Sequence, residues 1–438
     1  MERKIFWLIP NWRPAILAGI LMLAGGAFAA GPSETVLYSF QSGNDGATPA
    51  NGVIADKAGN LYDTTAYGGA GACSIPSATS CGTVFRLTPP GAPGASWMET
   101  VLYRFQGDID GATPGGLLLD RAGNLYGTTW GGGIYTCYSQ GCGTVFESSP
   151  PAVAGRPWTK TVLYNFQGGS EGFNPTGSLI ADKAGNLYGV TYYGGPAACP
   201  DCGTVFKLIP AAAGWSKTVL YNFQPFPRTG SIGDGQNPLG VTFDEKGNLY
   251  GTTMNGGYCQ RYEGSCFGAV FRLSPSGPSG SAWSESVLYR FGQTAQNPAS
   301  GVVVDKTGAI YGATFNEVFQ LVNGHAKPLL NFSDNSGLGG YPWAGVILDK
   351  AGSLFGVAQG GTVCCGVVFE LQRPTQAGGA WTETAFYNFA GSPDAELPDA
   401  TLVFGPDGAL YGTSWRGGSQ SCQYYGAVGC GTVFRIVP

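Results

Sequence analysis

The sequence predicts an all-β protein, a seven-bladed β-propeller of four-stranded antiparallel blades with the last blade closed by the N-terminal strand. Three observations lead there. One unit is written seven times, and its clearest copy runs Thr161-Val-Leu-Tyr-Asn-Phe166, Asn174-Pro175, Asp182-Lys-Ala-Gly-Asn-Leu-Tyr-Gly189 and Cys202-Gly-Thr-Val-Phe206. Periods of roughly 40–70 residues holding several strand-like pieces mark a propeller or a similar array. Each unit offers four short strands. Finally, residues 35–40 form a lone fourth strand and residues 431–436 a third strand. Each end is incomplete alone, and pairing them removes an exposed sheet edge.

The elements of a unit follow in order. Strand a (residues 178–182 in the clearest copy) is apolar, and strand b covers residues 186–191. Between them, Asp opens a tight turn and Gly takes the position that tolerates positive φ, a hairpin signal. Strand c is Gly203-Thr-Val-Phe-Lys-Leu208. In strand d, Val162, Tyr164 and Phe166 share one face at period two. A proline (Pro49, Pro114, Pro175, Pro238, Pro298, Pro342, Pro398) stands 12 or 13 residues before the strand-b aromatic, marking the start of strand a. From that aromatic to the strand-c Phe the gap runs from 8 residues (Tyr311 to Phe319) to 23 (Tyr62 to Phe85). An invariant hairpin beside a variable b–c loop is the pattern of a scaffold displaying a surface. The expected organisation is a signal peptide at residues 1–29 and one propeller at 30–438. Its repeats lie at about 34–98, 99–160, 161–217, 218–285, 286–327, 328–383 and 384–438.

The N-terminus reads as an address label. Arg3, Lys4 and Arg13 precede an apolar run from Ala15 to Ala30 that contains Ala27-Phe28-Ala29. A basic start, a short apolar stretch and an A-x-A site are a secretory signal. The run is shorter than the ~20 residues of a spanning helix, so a mature protein free of the membrane is expected. Removing residues 1–29 takes three basic residues and one acidic one, moving the formal charge from −5 to −7. An acidic surface with few Lys and Arg argues against nucleic acid and anionic membranes as partners.

Two resemblances rest on these motifs. The unit P-x-x-G-(x)-x-x-D-x-x-G-N-L-Y is similar to the a–b hairpin of NHL-type propeller repeats. More closely, G-N-L-Y-G-T-T, G-G and C-G-T-V-F-[RK]-L resemble the GloVer-type tandem repeats of secreted bacterial "choice-of-anchor" proteins, over essentially the whole mature chain. The resemblance implies export and a propeller-like array and brings no catalytic residues. The chain departs from that family in showing no evident C-terminal sorting segment after its last repeat.

Twelve cysteines are the strongest local signal. They fall as Cys73/Cys81, Cys137/Cys142, Cys199/Cys202, Cys259/Cys266, Cys364/Cys365 and Cys422/Cys430, each pair in a b–c loop. The repeat with almost no loop, between Phe315 and Phe319, has neither cysteine. Presence or absence in pairs argues for intra-loop disulfides. Cys199-Pro-Asp-Cys202 could pass for a redox C-x-x-C, but within this series it reads as one staple among six. Cys364-Cys365 leaves open a vicinal disulfide or two free thiols, since adjacent α-carbons sit ~3.8 Å apart.

His325 is the only histidine, in a short c–d turn. Ser-His-Asp chemistry and His-ligated metals therefore lose their usual parts, while carboxylate or tyrosine chemistry survives. Acidic residues recur before strand a: Asp45, Asp110, Glu171 and Asp234, each followed by Gly. They read as turn chemistry or as a ring of carboxylates binding a ligand. Calcium is the one cofactor such a ring could attract, yet no EF-hand-like or RTX-like ligand run is present, so no cofactor is expected. Aromatics cluster where strand b ends, at Tyr67, Trp130, Tyr192, Tyr193, Phe315 and Trp415. They serve either as packing beneath the loops or as platforms for flat ligands such as sugar rings. Trp97, Trp158, Trp215, Trp283 and Trp381 share one place at the c–d turn and read as packing.

The expected function is a secreted, monomeric binding or scaffold module for a glycan or an extracellular protein, exported to the exterior, the cell surface or the periplasm. The alternatives are a carbohydrate-active hydrolase or lyase on the same rim and a structural cell-surface protein. Fold alone does not choose among them.

Overall fold

The repeated Asp-x-x-Gly-Asn-Leu-Tyr sequence builds the same hairpin around the ring. In the third blade, Asp182 Oδ1 accepts from the amides of Ala184 and Asn186 at 2.9 and 3.0 Å. Its Oδ2 accepts from Asn186 Nδ2 at 2.7 Å and from the Tyr188 hydroxyl at 3.0 Å. Gly185 takes φ 82°, where a side chain would be strained. One aspartate thus fixes the turn and ties it to the strand-b tyrosine. Asp56, Asp120 and Asp244 repeat the pattern.

The computed structural model describes residues 31–437, except 50, 70–72, 74–80, 93, 154, 213, 225–232, 260–265, 278–281, 293–296, 333–338, 362–363, 377, 420–421 and 425–426. The expected signal peptide at residues 1–29 lies outside the described residues. Seven four-stranded antiparallel sheets are arranged in a ring, a β-propeller. The third blade runs Phe173–Ala181, Leu187–Tyr193, Thr204–Ala211 and Gly214–Asn222 as strands a to d. The last blade draws on both ends of the chain. Its strand a is split into Ala395–Pro398 and Val403–Phe404, and it continues with Leu410–Gly417 and Thr432–Val437. Its fourth strand is the N-terminal Ser33–Ser39, paired from Ser33↔Val437 to Ser39↔Thr432. Among the described residues no helix is long and apolar enough to cross a membrane.

Aromatic edges hold neighbouring blades together. The Phe ending strand d of one blade meets the strand-c Phe of the next, edge to face. The pairs are Phe40–Phe85, Phe105–Phe146, Phe166–Phe206, Phe223–Phe271, Phe291–Phe319, Phe332–Phe369 and Phe389–Phe434, with centroids 4.9–5.5 Å apart. Such a pair adds ~0.5–1.5 kcal/mol beyond burial. The first and last pairs use the same geometry as the five between them, so closure is one more blade junction. The c–d turn tryptophans reach back to the preceding blade: Trp158 packs on Tyr62, Trp215 on Tyr126, Trp283 on Tyr188 and Trp381 on Tyr311.

Two local features differ from the sequence reading. Every c–d pairing shifts register at the strand-d residue equivalent to Leu163, which interrupts the period-two face expected for Val162, Tyr164 and Phe166. A bulge in the outermost strand bends it and increases its twist. Strand a also begins before its proline in four blades, at Ala112, Phe173, Gln236 and Ala395. The residue preceding the proline takes positive φ at Thr48, Thr113, Asn174, Asn237, Tyr341 and Leu397. Recurrence in six blades assigns this strain to the scaffold. At five of these, Thr48, Thr113, Asn174, Asn237 and Leu397, the amide donates to the carbonyl of the second loop cysteine in the preceding blade.

Candidate functional site

The b–c loops and the Asp/Glu-Gly segments lie at one end of the ring, in contact with each other. Gly132 follows the strand-b aromatic, and a Cβ there would sit 2.6 Å from Gly111 Cα. Gly68 and Gly194 meet Gly46 and Gly172 in the same way. The Gly-Gly signature is therefore a close backbone approach. Five disulfides close the loops of this rim: Cys73–Cys81, Cys137–Cys142, Cys199–Cys202, Cys364–Cys365 and Cys422–Cys430. Cys364–Cys365 is a vicinal disulfide with its α-carbons 3.7 Å apart. Cys259 and Cys266 are cross-strand partners and Cys266 is disulfide-bonded, while the Cys259 side chain lies outside the described residues.

The residue that follows the strand-b Gly-Thr-Thr motif occupies one equivalent position in all seven blades: Ala66, Trp130, Tyr192, Met254, Phe315, Gln359 and Trp415. All seven are half-buried. Trp130 and Tyr192 approach to 5.6 Å between centroids, and the Tyr192 hydroxyl lies 3.2 Å from Met254 Sδ. Phe315 meets Trp343 at 4.7 Å, and Trp343 lines the axial cavity. The Arg416 guanidinium lies over the Trp415 ring. Tyr193 stacks on Phe173 and meets Trp130 and Tyr138. Tyr67 packs into the core between the first and last blades. Apart from Tyr67, the sequence-selected aromatics fall into three patches on one rim: Trp130 with Tyr192 and Tyr193, Phe315 with Trp343, and Trp415 with Arg416.

The ring's backbone is pinned from the next blade. Asn174, Asn237 and Asn297, each just before a strand-a proline, donate from Nδ2 to the carbonyls of Trp130, Tyr192 and Met254 at 2.6, 3.0 and 2.6 Å. Beneath, Thr129–Thr144 and Thr191–Thr204 hydroxyl pairs at 2.9 and 2.8 Å tie strand b to strand c. Such a surface loses little entropy on binding. Burial, with Tyr193 alongside, pushes the Tyr192 hydroxyl up. Tyr138 is pushed up to about 12, chiefly by its hydrogen bond to Asp201. These phenols are neutral donors and stacking surfaces, unsuited to act as bases.

The acidic residues before strand a are engaged in the scaffold. Asp45, Asp110 and Asp234 accept from the strand-d hydroxyls of Tyr38, Tyr103 and Tyr221 at 3.0, 2.7 and 2.5 Å. The same carboxylates accept from the amides of Gln41, Gln106 and Gln224. Lys160 pairs with Asp110 at 2.8 Å and Lys217 with Glu171 at 3.0 Å. These contacts hold strand d against the loop, although Asp45 Oδ1 is left buried without a partner.

Sequence reasoning passed over Met254, Trp343, Tyr138 and Phe173. Aligning the residue after Gly-Thr-Thr would have found Met254; the other three lie in loops or at strand starts and join only through packing. Asp63 was also passed over. It replaces the strand-b glycine of Gly-Asn-Leu-Tyr-Gly-Thr-Thr in the first blade and is fully buried, and desolvation pushes it up to about 7.

A search of curated protein sequences gives no match. Solved structures with a similar fold include an oxidoreductase described as a glucose dehydrogenase from Thermus thermophilus (14% identity, 93% of this chain and 100% of that one, TM-score 0.44). A second is the extracellular domain of a one-component system from B. thetaiotaomicron (13%, 91% and 42%, TM-score 0.47). A third is a gluconolactonase from Xanthomonas campestris (16%, 74% and 85%, TM-score 0.41). The Gloeobacter/Verrucomicrobia repeat matches residues 71–324, more than half of the sequence, so the chain belongs to that repeat family.

Proposed function

We propose that the protein is a secreted binding module that engages a glycan through the aromatic ring on its loop rim, without catalysis. The supporting observation is the set of half-buried Trp130, Tyr192, Met254, Phe315 and Trp415 at one repeated position, several with their carbonyls pinned by asparagine. Aromatic and thioether faces at fixed spacing suit the apolar faces of sugar rings, and neutral tyrosine hydroxyls suit their polar edges. Disulfides closing the neighbouring loops fit an exported protein.

A glycan array paired with a polysaccharide-degradation screen tests the reading. Binding should be lost when Trp130, Tyr192 and Trp415 are replaced together by Ala, and kept when Lys183 and Lys246 on the opposite hairpins are replaced. The reverse pattern, or bond cleavage without retained binding, overturns it.

A further inference from the structure

The seven blades share a steric rule at the middle of strand b, and one blade breaks it. Gly127, Gly189, Gly251, Gly312, Gly356 and Gly412 each lie under the ring of the cross-strand phenylalanine. A Cβ at Gly127 would sit 2.6 Å from Phe146 Cζ, and at Gly189 2.7 Å from Phe206 Cζ. The first blade keeps the phenylalanine, Phe85, but places Asp63 opposite it, with both residues fully buried. A side chain is forced where six blades exclude one, and it brings an ionisable group into the core. Local rules broken this way mark functional positions.

Compensation within the protein is incomplete: the backbone amides of Thr64, Gly52 and Asn51 approach the Asp63 carboxylate and favour its charged form, but desolvation outweighs them. Neither carboxylate oxygen of Asp63 has a hydrogen-bond partner of normal geometry. The side chain faces the last blade, where Asp399 lies within electrostatic reach and also leaves Oδ1 buried and unpartnered. Thr413, on strand b of the last blade, is fully buried with its Oγ1 unpartnered. Its counterpart in the first blade, Thr64, donates across the next junction to the carbonyls of Pro114 and Gly115. The junction is otherwise tight: a Cβ on Gly52 would lie 2.5 Å from the Thr401 carbonyl oxygen. Asp399, Asn51 and Thr401 line an axial cavity of about 340 Å³, which gives the junction an entry path.

We propose that Asp63 and Asp399 bind a divalent cation, of the calcium class, where the first and last blades meet beside the axial cavity. Two buried carboxylates at one junction, with Asp63 Oδ1, Asp63 Oδ2 and Asp399 Oδ1 lacking a well-formed hydrogen bond, call for a positive charge. The donors are oxygens only, which selects a hard cation. Among the described residues no cluster of three or more His, Cys, Asp or Glu side chains could hold a metal. The rest of the shell would therefore come from main-chain, hydroxyl and water oxygens. Calcium accepts such mixed, irregular shells of about six to eight oxygens, whereas magnesium demands a near-ideal octahedron. The bound ion would also join the two blades that meet where the chain closes on itself.

The test uses the purified protein after dialysis against EDTA at pH 7.5, titrated with calcium chloride by calorimetry and by thermal unfolding. Magnesium chloride is the comparison. Wild type should bind one calcium equivalent and melt at a higher temperature with it, responding less to magnesium. Asp63→Gly restores the residue used by six blades, so it should fold, melt no lower than metal-free wild type, and show no calcium response. Asp399→Asn, kept as a second variant, should bind calcium at least tenfold more weakly. Absence of a calcium response in wild type, or an undiminished response in Asp63→Gly, overturns the proposal. Asp63→Gly melting below metal-free wild type also overturns it, because Asp63 would then be a stabilising core residue.

Discussion

Replacing Glu34 by Lys should stabilise this protein, and the reason is written in its sister blades. Glu34 lies on the closing strand, in the place that Lys160 and Lys217 hold in the second and third blades. There the ammonium bonds a carboxylate, Asp110 or Glu171, and lies over the rings of the strand-d tyrosine and phenylalanine of the preceding blade. Glu34 faces Asp394 instead, and its Oε1 is buried without a partner. Desolvation first, and the Asp394 charge second, push it from 4.5 to about 8. A shift of that size corresponds to ~5 kcal/mol at ~1.4 kcal/mol per unit for a group shielded from water. Glu34 is partly exposed, so screening cuts this to about 2 kcal/mol.

The sign follows from the direction of the shift. With its folded pKa raised, Glu34 contributes stability that is fully present below its unfolded value and is lost as pH rises through about 8. Lysine carries its charge throughout this range. The advantage of Glu34→Lys should therefore be about 2 kcal/mol at pH 9 and shrink at pH 5. Urea unfolding followed by tryptophan fluorescence at both pH values measures it, with Glu34→Gln as the uncharged control. A variant no more stable than wild type at pH 9, or an advantage of equal size at pH 5, would refute the reasoning.

Two further outcomes follow from the same junctions. Glu99, Glu285 and Glu317 are pushed up to about 7, chiefly by desolvation, with Asp45 adding to the first and Asp234 to the second. The stability of wild type should therefore fall as pH rises from 5 to 8, and a flat or rising urea midpoint over that range would contradict these assignments. Phe40→Ala should cost ~3–5 kcal/mol, as should Phe166→Ala, because both rings are fully buried at equivalent junctions. A cost below ~1 kcal/mol at Phe40 alone would mean that closure does not depend on the N-terminal strand.

Much of the candidate site was legible because it repeats. Trp130, Tyr192, Phe315 and Trp415 stand at one offset from a recurring motif, and a period survives in any window of the sequence. What did not repeat was hidden: Trp343 and Tyr138 reach the rim from segments with no counterpart in the motif, so only packing reveals them. The acidic residues show the opposite failure. Asp45 and Asp110 repeat as clearly as the aromatics, yet their sequence cannot say that each carboxylate already accepts from a tyrosine hydroxyl and a backbone amide.

By itself the sequence determined the blade count, the hairpin turns, the pairing of cysteines within loops and the closure by the first strand. Each of these is set by short-range chemistry: an aspartate with a glycine three residues on, a phenylalanine at a fixed offset, two cysteines a few residues apart. Only the tertiary structure decided which residues of different blades share a junction. Glu34 beside Asp394, Asp63 beside Asp399 and Trp130 beside Tyr192 are contacts between blades, and their electrostatics depend on burial that the linear order does not encode. The scaffold is a local property repeated seven times; the departures from it acquire meaning only where the blades meet.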